Sequence, residues 1–169
     1  MEGQIELQFD VPVGDRITPD GGEFGAPRWY GGHKGVDFRS NWGTEVRASE
    51  RGKVVFSSMI EGSKEKTMYG NVVVIDHTFE VECGGRHLYT LYAHMHTRRA
   101  RRRRIVEKDE VIGTTGNSGT RESYSGAKPK DQKGYHLHFE LIDSPRKLRW
   151  RGGNWSAKSL RKNPFKGYI

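Results

Sequence analysis

Gly134-Tyr135-His136-Leu137-His138-Phe139-Glu140-Leu141 alternates with a period of two. His136, His138 and Glu140 share one parity and Leu137, Phe139 and Leu141 the other, so an extended strand puts the two sets on opposite faces. One face is apolar and needs a core. The other presents two imidazoles about 6–7 Å apart, given a rise of roughly 3.3 Å per residue. That spacing can hold a metal ligand and a proton-transfer group side by side on a rigid element. A His-x-His pair alone serves equally well as two exposed or packed histidines, so its meaning depends on partners elsewhere in the chain.

The 169 residues are enough for one domain with a substantial core. A mean hydropathy of -0.83 with 30% charged residues implies a compact core under large polar loops. The 22 glycines and 6 prolines are spread along the chain, which suits many short strands joined by turns. The net charge of +8 comes largely from the run Arg98-Arg99-Ala100-Arg101-Arg102-Arg103-Arg104, and such a run is either a solvated loop or a site for a polyanion. Cys83 is the single cysteine, which excludes an intramolecular disulfide framework and a Cys₄ or Cys₂His₂ zinc site. Its acidic neighbours Glu80 and Glu82 disfavour a thiolate nucleophile. No apolar run approaches the roughly 18–20 residues that span a membrane. The acidic, mixed N-terminus Met1-Glu2-Gly3-Gln4-Ile5-Glu6-Leu7 predicts no ordinary signal peptide.

Along the chain, residues 4–13 read as a strand or extended lead-in, and Arg16 to Gly32 as irregular structure dominated by turn chemistry. In Gly31-Gly32-His33-Lys34-Gly35-Val36-Asp37-Phe38 three glycines argue against a helix. His33 and Asp37 can still converge across a bend at Gly35, where the missing Cβ permits a turn. Gly52 to Ser57 and Asn71 to His77 read as strands, the second β-branched on both faces and therefore central. His87 to Met95 reads as a third, with Leu88, Thr90, Tyr92 and His94 on one parity and Tyr89, Leu91 and Ala93 on the other. The arginine run follows in a connection. Thr114 to Gly119 is a glycine turn, Thr120 to Gly134 a long polar insertion, and Ser156 to Lys162 has room for one or two helical turns.

Histidines stand at 33, 77, 87, 94, 96, 136 and 138. A catalytic zinc site takes three protein ligands and leaves a position for water, whose pKa then falls to about 7. His33, Asp37 and one of His136 or His138 can supply such a set.

These segments resemble the M23 zinc metallopeptidases of the lysostaphin and LytM type. His33-Lys34-Gly35-Val36-Asp37-Phe38 matches the family's HxGxDF motif, Tyr92-Ala93-His94-Met95 resembles its YxHL segment, and His136-Leu137-His138-Phe139-Glu140 its HLHFE strand. Phe24-Gly25 with Arg28, Gly43 through Ala48, Gly52-Lys53-Val54, Gly70 through His77 and Gly113 through Gly119 follow the same order, and the likeness covers roughly residues 11–165. The resemblance implies a mostly β fold: a single domain, 1–169, of two packed antiparallel sheets around a zinc groove, with the histidine strand central. It implies one Zn2+ per chain held by His33, Asp37 and His138, with His94 and His136 as catalytic histidines. These two would orient and deprotonate the zinc water, stabilise the tetrahedral intermediate and protonate the leaving amine. His77 reads as structural, and His87 and His96 as surface residues.

The stretches 78–87, 98–108 and 120–134 look like additions to the family pattern, placed to line or cover the substrate groove. The implied activity is endopeptidase cleavage of amides in peptidoglycan stem peptides or cross-bridges, by a monomer in the cell wall or periplasm. Delivery would run through a phage particle, specialised secretion or lysis. The basic run Arg98–Arg104 then fits an anionic cell-wall polymer. A non-catalytic wall-binding or hydrolase-activating module of the same fold is the alternative, discriminated by zinc content. Nucleic acid is not the expected partner, because no aromatic residue interleaves the arginines.

Overall fold

The computed structural model describes residues 12–13, 21–28, 31–78, 84–128, 134–150 and 161–164. Within them the chain is nearly all β. The strands are β1 (Pro27–Arg28), β2 (Gly31–Gly32), β3 (Val36–Arg39), β4 (Glu45–Arg47), β5 (Gly52–Ile60) and β6 (Gly70–Asp76). They continue with β7 (His87–Arg98), β8 (Ile105–Val106), β9 (Val111–Thr115), β10 (His136–Ser144) and β11 (Arg161–Lys162). The described residues contain one 3₁₀ turn, Arg121–Tyr124, and no helix long and apolar enough to cross a membrane.

Two antiparallel sheets result, a β1–β2 ribbon and a nine-stranded sheet. The histidine strand β10 is central, as its apolar parity requires. Its one edge pairs with β7, and its other edge is shared by β3 and β11. Strand β7 pairs with β6 along one edge, while the opposite edge passes from β10 to β9.

Side-chain alternation divides the interior into two clusters. Leu137 and Phe139 lie opposite Phe38 and Val36, and Phe139 also opposite Tyr92, which pairs with Val73. These six form the heart of one cluster. Replacing a fully buried Phe139 by Ala should cost about 3–5 kcal/mol. On the other face Val72, Val74, Leu91, Ala93, Tyr89 and Ile142 form the second. Strand β6 therefore buries β-branched residues on both faces, which is why it reads as a continuous apolar run.

A buried polar chain crosses the first cluster. His77 donates from Nδ1 to the Arg51 carbonyl (2.8 Å) and meets Thr90 Oγ1 at 2.7 Å. With Nδ1 as the donor, His77 Nε2 accepts from Thr90 Oγ1, which lies 3.0 Å from the Tyr92 hydroxyl. Burial lowers the pKa of His77 and favours the neutral ring.

Three expectations change. Part of the stretch 16–32 expected to be irregular forms the β1–β2 ribbon; residues 14–20 and 29–30 lie outside the described residues. Within 156–162, Arg161–Lys162 is a strand rather than a helical turn, because β10 offers it a free edge; 156–160 lie outside the described residues. So do residues 4–11 of the expected lead-in strand, and Cys83. Gly35 lies in the bend expected between β2 and β3, and close approach places a second demand on it. Its φ is not among the positive ones, and a Cβ there would collide with the Phe139 carbonyl oxygen of β10.

The third change decides the site. Between Asn71↔Met95 and Val73↔Tyr92, β7 contains one residue more than β6, a β-bulge at Ala93–His94. His94 has a φ of 58°, and its N–H reaches the Tyr69 carbonyl at 2.8 Å. Strict alternation from Tyr92 would have pointed His94 into the first cluster; the bulge turns it to the face that carries His138.

Candidate metal and catalytic site

The site is laid out in one row across three strands. His138 of β10 lies directly opposite Asp37 of β3 and opposite Ala93 of β7. Cross-strand partners share a face, so Asp37 and His138 are side by side because of register. His33 enters from the bend between β2 and β3, and His94 from the bulge.

Each ring is fixed by what its other nitrogen does. His33 donates from Nδ1 to the Glu23 carbonyl (3.0 Å), leaving Nε2 bare. His138 donates from Nε2 to Glu140 Oε1 (2.9 Å), leaving Nδ1 to face Asp37 Oδ1 at 2.8 Å and His33 Nε2 at 3.1 Å. His33 Nε2 lies 3.2 Å from Asp37 Oδ1. Three lone-pair-bearing atoms thus converge on one point. With Zn–N and Zn–O bonds near 2.0–2.1 Å, the edge of a coordination tetrahedron is about 3.3 Å, so the donor set fits a zinc ion. Without a cation the cluster needs a proton. Burial alone would lower the pKa of His138, but the carboxylates of Asp37 and Glu140 outweigh it and hold it up at about 9. Burial would raise Asp37; the imidazoles of His138 and His33 beside it hold its carboxyl well below the usual range instead.

Beneath the ligands, Glu140 accepts three hydrogen bonds: from His138, from the Tyr69 hydroxyl (2.7 Å) and from Arg161 Nε (2.8 Å). The Glu140 and Arg161 side chains are essentially water-free, at 0% and 1% exposure. Burial opposes the charge on Glu140, yet His138 and Arg161 hold it ionised. A carboxylate behind a ligating imidazole fixes its tautomer and raises its basicity.

The two remaining histidines are held by neutral acceptors. His94 donates from Nδ1 to the Ser118 carbonyl (2.8 Å) and His136 from Nδ1 to the Gly134 carbonyl (2.7 Å), so both keep Nε2 bare. Their ring centroids are 4.8 Å apart. Burial, reinforced by His136 and His138, pushes His94 down to about 3. His136 is less buried, with Nε2 3.8 Å from Asp37 Oδ1. The Ser118 carbonyl is aimed by the glycine turn: Gly119, at a φ of 74°, packs against Gly70 so closely that a Cβ would strike its backbone.

All five residues expected from the sequence, His33, Asp37, His94, His136 and His138, meet in one place. Reading the sequence missed Tyr69, Arg161 and the carbonyls of Glu23 and Ser118. A glutamate on a strand between buried rows signals that some cation must answer it; nothing in the spacing points to Arg161, 21 residues on. Arg28, with its guanidinium 3.8 Å from Asp37 Oδ2, was noted only as framework.

The described loops around the groove are tied together. Tyr124 of the 120–134 insertion donates to Glu61 Oε2 (2.9 Å) and accepts from Gly62 N–H (3.0 Å), and Met68 N–H reaches the Gly119 carbonyl at 2.8 Å. Residues 129–133 of that insertion, and 79–83 of the stretch 78–87, lie outside the described residues. In the arginine run Arg98 closes β7, Ala100 is buried, and Arg104 pairs with Glu110 at 2.5 Å. Arg99, Arg101, Arg102 and Arg103 are exposed.

The chain is 34% identical over 108 residues to the DD-carboxypeptidase/endopeptidase Mpg of Neisseria meningitidis serogroup B, covering 64% of this chain and 19% of that protein. It is 29% identical over 119 residues to the murein hydrolase activator NlpD of Escherichia coli, covering 70% of this chain and 24% of that one. It thus spans about a fifth to a quarter of the length of these relatives. Among solved structures, the catalytic domain of the antimicrobial peptidase lysostaphin from Staphylococcus simulans superposes with a TM-score of 0.53 at 26% identity, over 85% of this chain and 84% of that one. Residues 31–149 match the profile of peptidase family M23, and with the fold and the histidine cluster in place, the chain belongs to that family.

Proposed function

We propose that this chain is a zinc-dependent endopeptidase that hydrolyses amide bonds in peptidoglycan stem peptides or cross-bridges, acting in the cell wall or periplasm. The observation that carries the reading is the convergence of His33 Nε2, His138 Nδ1 and Asp37 Oδ1 beside two imidazoles whose Nε2 atoms are bare. One zinc ion held by those three residues supplies Lewis acidity and a water that ionises near neutral pH.

The chain's own groups divide the remaining work. His94, kept neutral by burial, is fixed as an acceptor, and its Nε2 orients the attacking water through a hydrogen bond. His136, nearer the rim, takes the proton, and the imidazolium so formed faces the Asp37 carboxylate at 3.8 Å, which stabilises the charge it gains. That proton then goes to the leaving amine. Glu140, Tyr69 and Arg161 keep His138 aimed and charged groups satisfied while the reaction proceeds.

The test is mass-spectrometric analysis of muropeptides released by the wild type, His138→Ala and His136→Ala. The expected result is cleavage by the wild type alone; equal cleavage by all three would sink the assignment. A second reading, a non-catalytic module that binds wall or activates another hydrolase, is raised by the likeness to the murein hydrolase activator. It predicts no cleavage in isolation and no stoichiometric zinc after purification. Retention of all five site residues favours the enzyme. The exposed arginines of 98–104 fit an anionic wall polymer. Replacing Arg99, Arg101, Arg102 and Arg103 by Ser should weaken wall binding mainly at low ionic strength.

A further inference from the structure

Trp42 is the most exposed large apolar side chain among the described residues, at 48%, yet it does not sit on a loose loop. The carbonyl of its neighbour Asn41 accepts from Thr115 Oγ1 (2.6 Å) and Thr44 Oγ1 (2.8 Å). Gly43 N–H donates to the Thr115 carbonyl at 2.9 Å. The indole is braced by His96, with ring centroids 4.5 Å apart and planes inclined at 50°. One side of the indole therefore packs on an imidazole and the other is left to solvent. Its order thus comes from these local contacts rather than from burial in either core cluster.

Its position ties it to the catalytic groove. Arg39 lies opposite His136, and Trp42 is three residues further on, at most about 11 Å of extended chain. The brace leads to the same place, since His96 packs against Gly116, which is bridged to His136. The platform is thus tied through two neighbours, Arg39 and Gly116, to the strand position of His136. A flat indole beside the exposed Asn41 and partly exposed Thr44 offers an apolar face with neutral hydrogen-bonding groups at its edge. That combination complements a pyranose ring, whose C–H face is apolar and whose hydroxyl and amide substituents are polar.

Resting on the proposed function, we infer that Trp42, braced by His96, is a subsite for an N-acetylated amino sugar of the glycan to which the substrate peptide is attached. Binding there positions the peptide across the histidines, so remote binding energy is spent on orientation. Residues 39–44 would then select glycan-attached peptide over free peptide.

Two measurements test this. In the first, the Trp42 indole N–H signal, assigned by its loss in Trp42→Phe, is followed by NMR during titration with a short soluble oligomer of N-acetylglucosamine. The signal should shift saturably in the wild type, and His96→Ala should weaken the apparent affinity. In the second, kcat and KM are compared for muropeptides with and without their disaccharide. Trp42→Ala should raise KM for the glycan-bearing substrate about fivefold to tenfold more than for the glycan-free one, with the split in KM rather than kcat. An unmoved Trp42 signal overturns the inference, as does an equal effect on both substrates. Should the wild type cleave neither muropeptide, the endopeptidase reading falls and the NMR titration alone decides the subsite. Should zinc-dependent cleavage be present while the signal stays still, the enzyme stands and the subsite falls.

Discussion

The groove has two sides built from the same residue type by opposite means. On the ligand side, His138 is clamped between the carboxylates of Asp37 and Glu140, and Glu140 is itself clamped by Arg161 and Tyr69. On the proton side, His94 and His136 are each held by one backbone carbonyl. Carboxylates favour a charged or metal-bearing ring, whereas a carbonyl fixes orientation without supplying net charge. The carboxylates hold His138 up at about 9, while burial and the neighbouring imidazoles push His94 down to about 3, although the two rings lie 5.9 Å apart, centroid to centroid. Environment, not residue identity, separates ligand from proton carrier.

The largest effect should come from breaking the ligand side. His138→Ala or Asp37→Ala removes one of the three proposed zinc ligands, and both zinc content by elemental analysis and muropeptide release should fall to background. Breaking the proton side should leave zinc in place. For His94→Ala and His136→Ala we expect rates about 10²–10⁴-fold lower with zinc content retained. Loss of zinc in these two variants would erase the distinction between the sides.

Glu140→Gln probes the support under the ligand. It leaves the buried Arg161 guanidinium without its counter-charge, an effect of about 3–5 kcal/mol on unfolding, and should weaken zinc binding about 10–100-fold. Chemical denaturation and competitive zinc titration measure the two. Tyr69→Phe removes one of the hydrogen bonds to Glu140 and should cost about 1 kcal/mol.

The smallest effect sharpens the electrostatics. His138 binds its proton more tightly folded than unfolded, so in the metal-free chain its contribution is full below pH 6.5 and is lost as pH rises toward about 9. Asp37 and Glu140 act in the opposite sense, contributing above their ordinary pKa values of 3.8 and 4.5 and losing that contribution as pH falls below them. As the proposed ligand, His138 would have to give up this proton to zinc, so the rise in melting temperature on adding zinc should grow between pH 6.5 and 9. A zinc-induced rise that is flat over that window would contradict the assignment of His138 as a ligand.

Much of this was legible in the residues. The period-two alternation of 136–141 placed His136, His138 and Glu140 on one face, because side-chain direction in a strand is a local property of the backbone. The glycines around His33 and Asp37 excluded a helix for equally local reasons. The same rule failed at His94: alternation through Tyr92 gives the wrong face, since the extra residue in β7 is defined only against its partner β6. The bend at Gly35 is legible in the sequence, but the further constraint on it, the Phe139 carbonyl of another strand, is not.

By itself, then, the sequence determined the β class, the faces of the histidine strand and the residue types of a metal site. The tertiary structure decided which histidine turns toward the metal ligands at a bulge, which arginine answers Glu140, and which carbonyls fix each tautomer. Those are contacts between segments distant in the chain, where register and close approach, rather than any local periodicity, determine what a side chain meets.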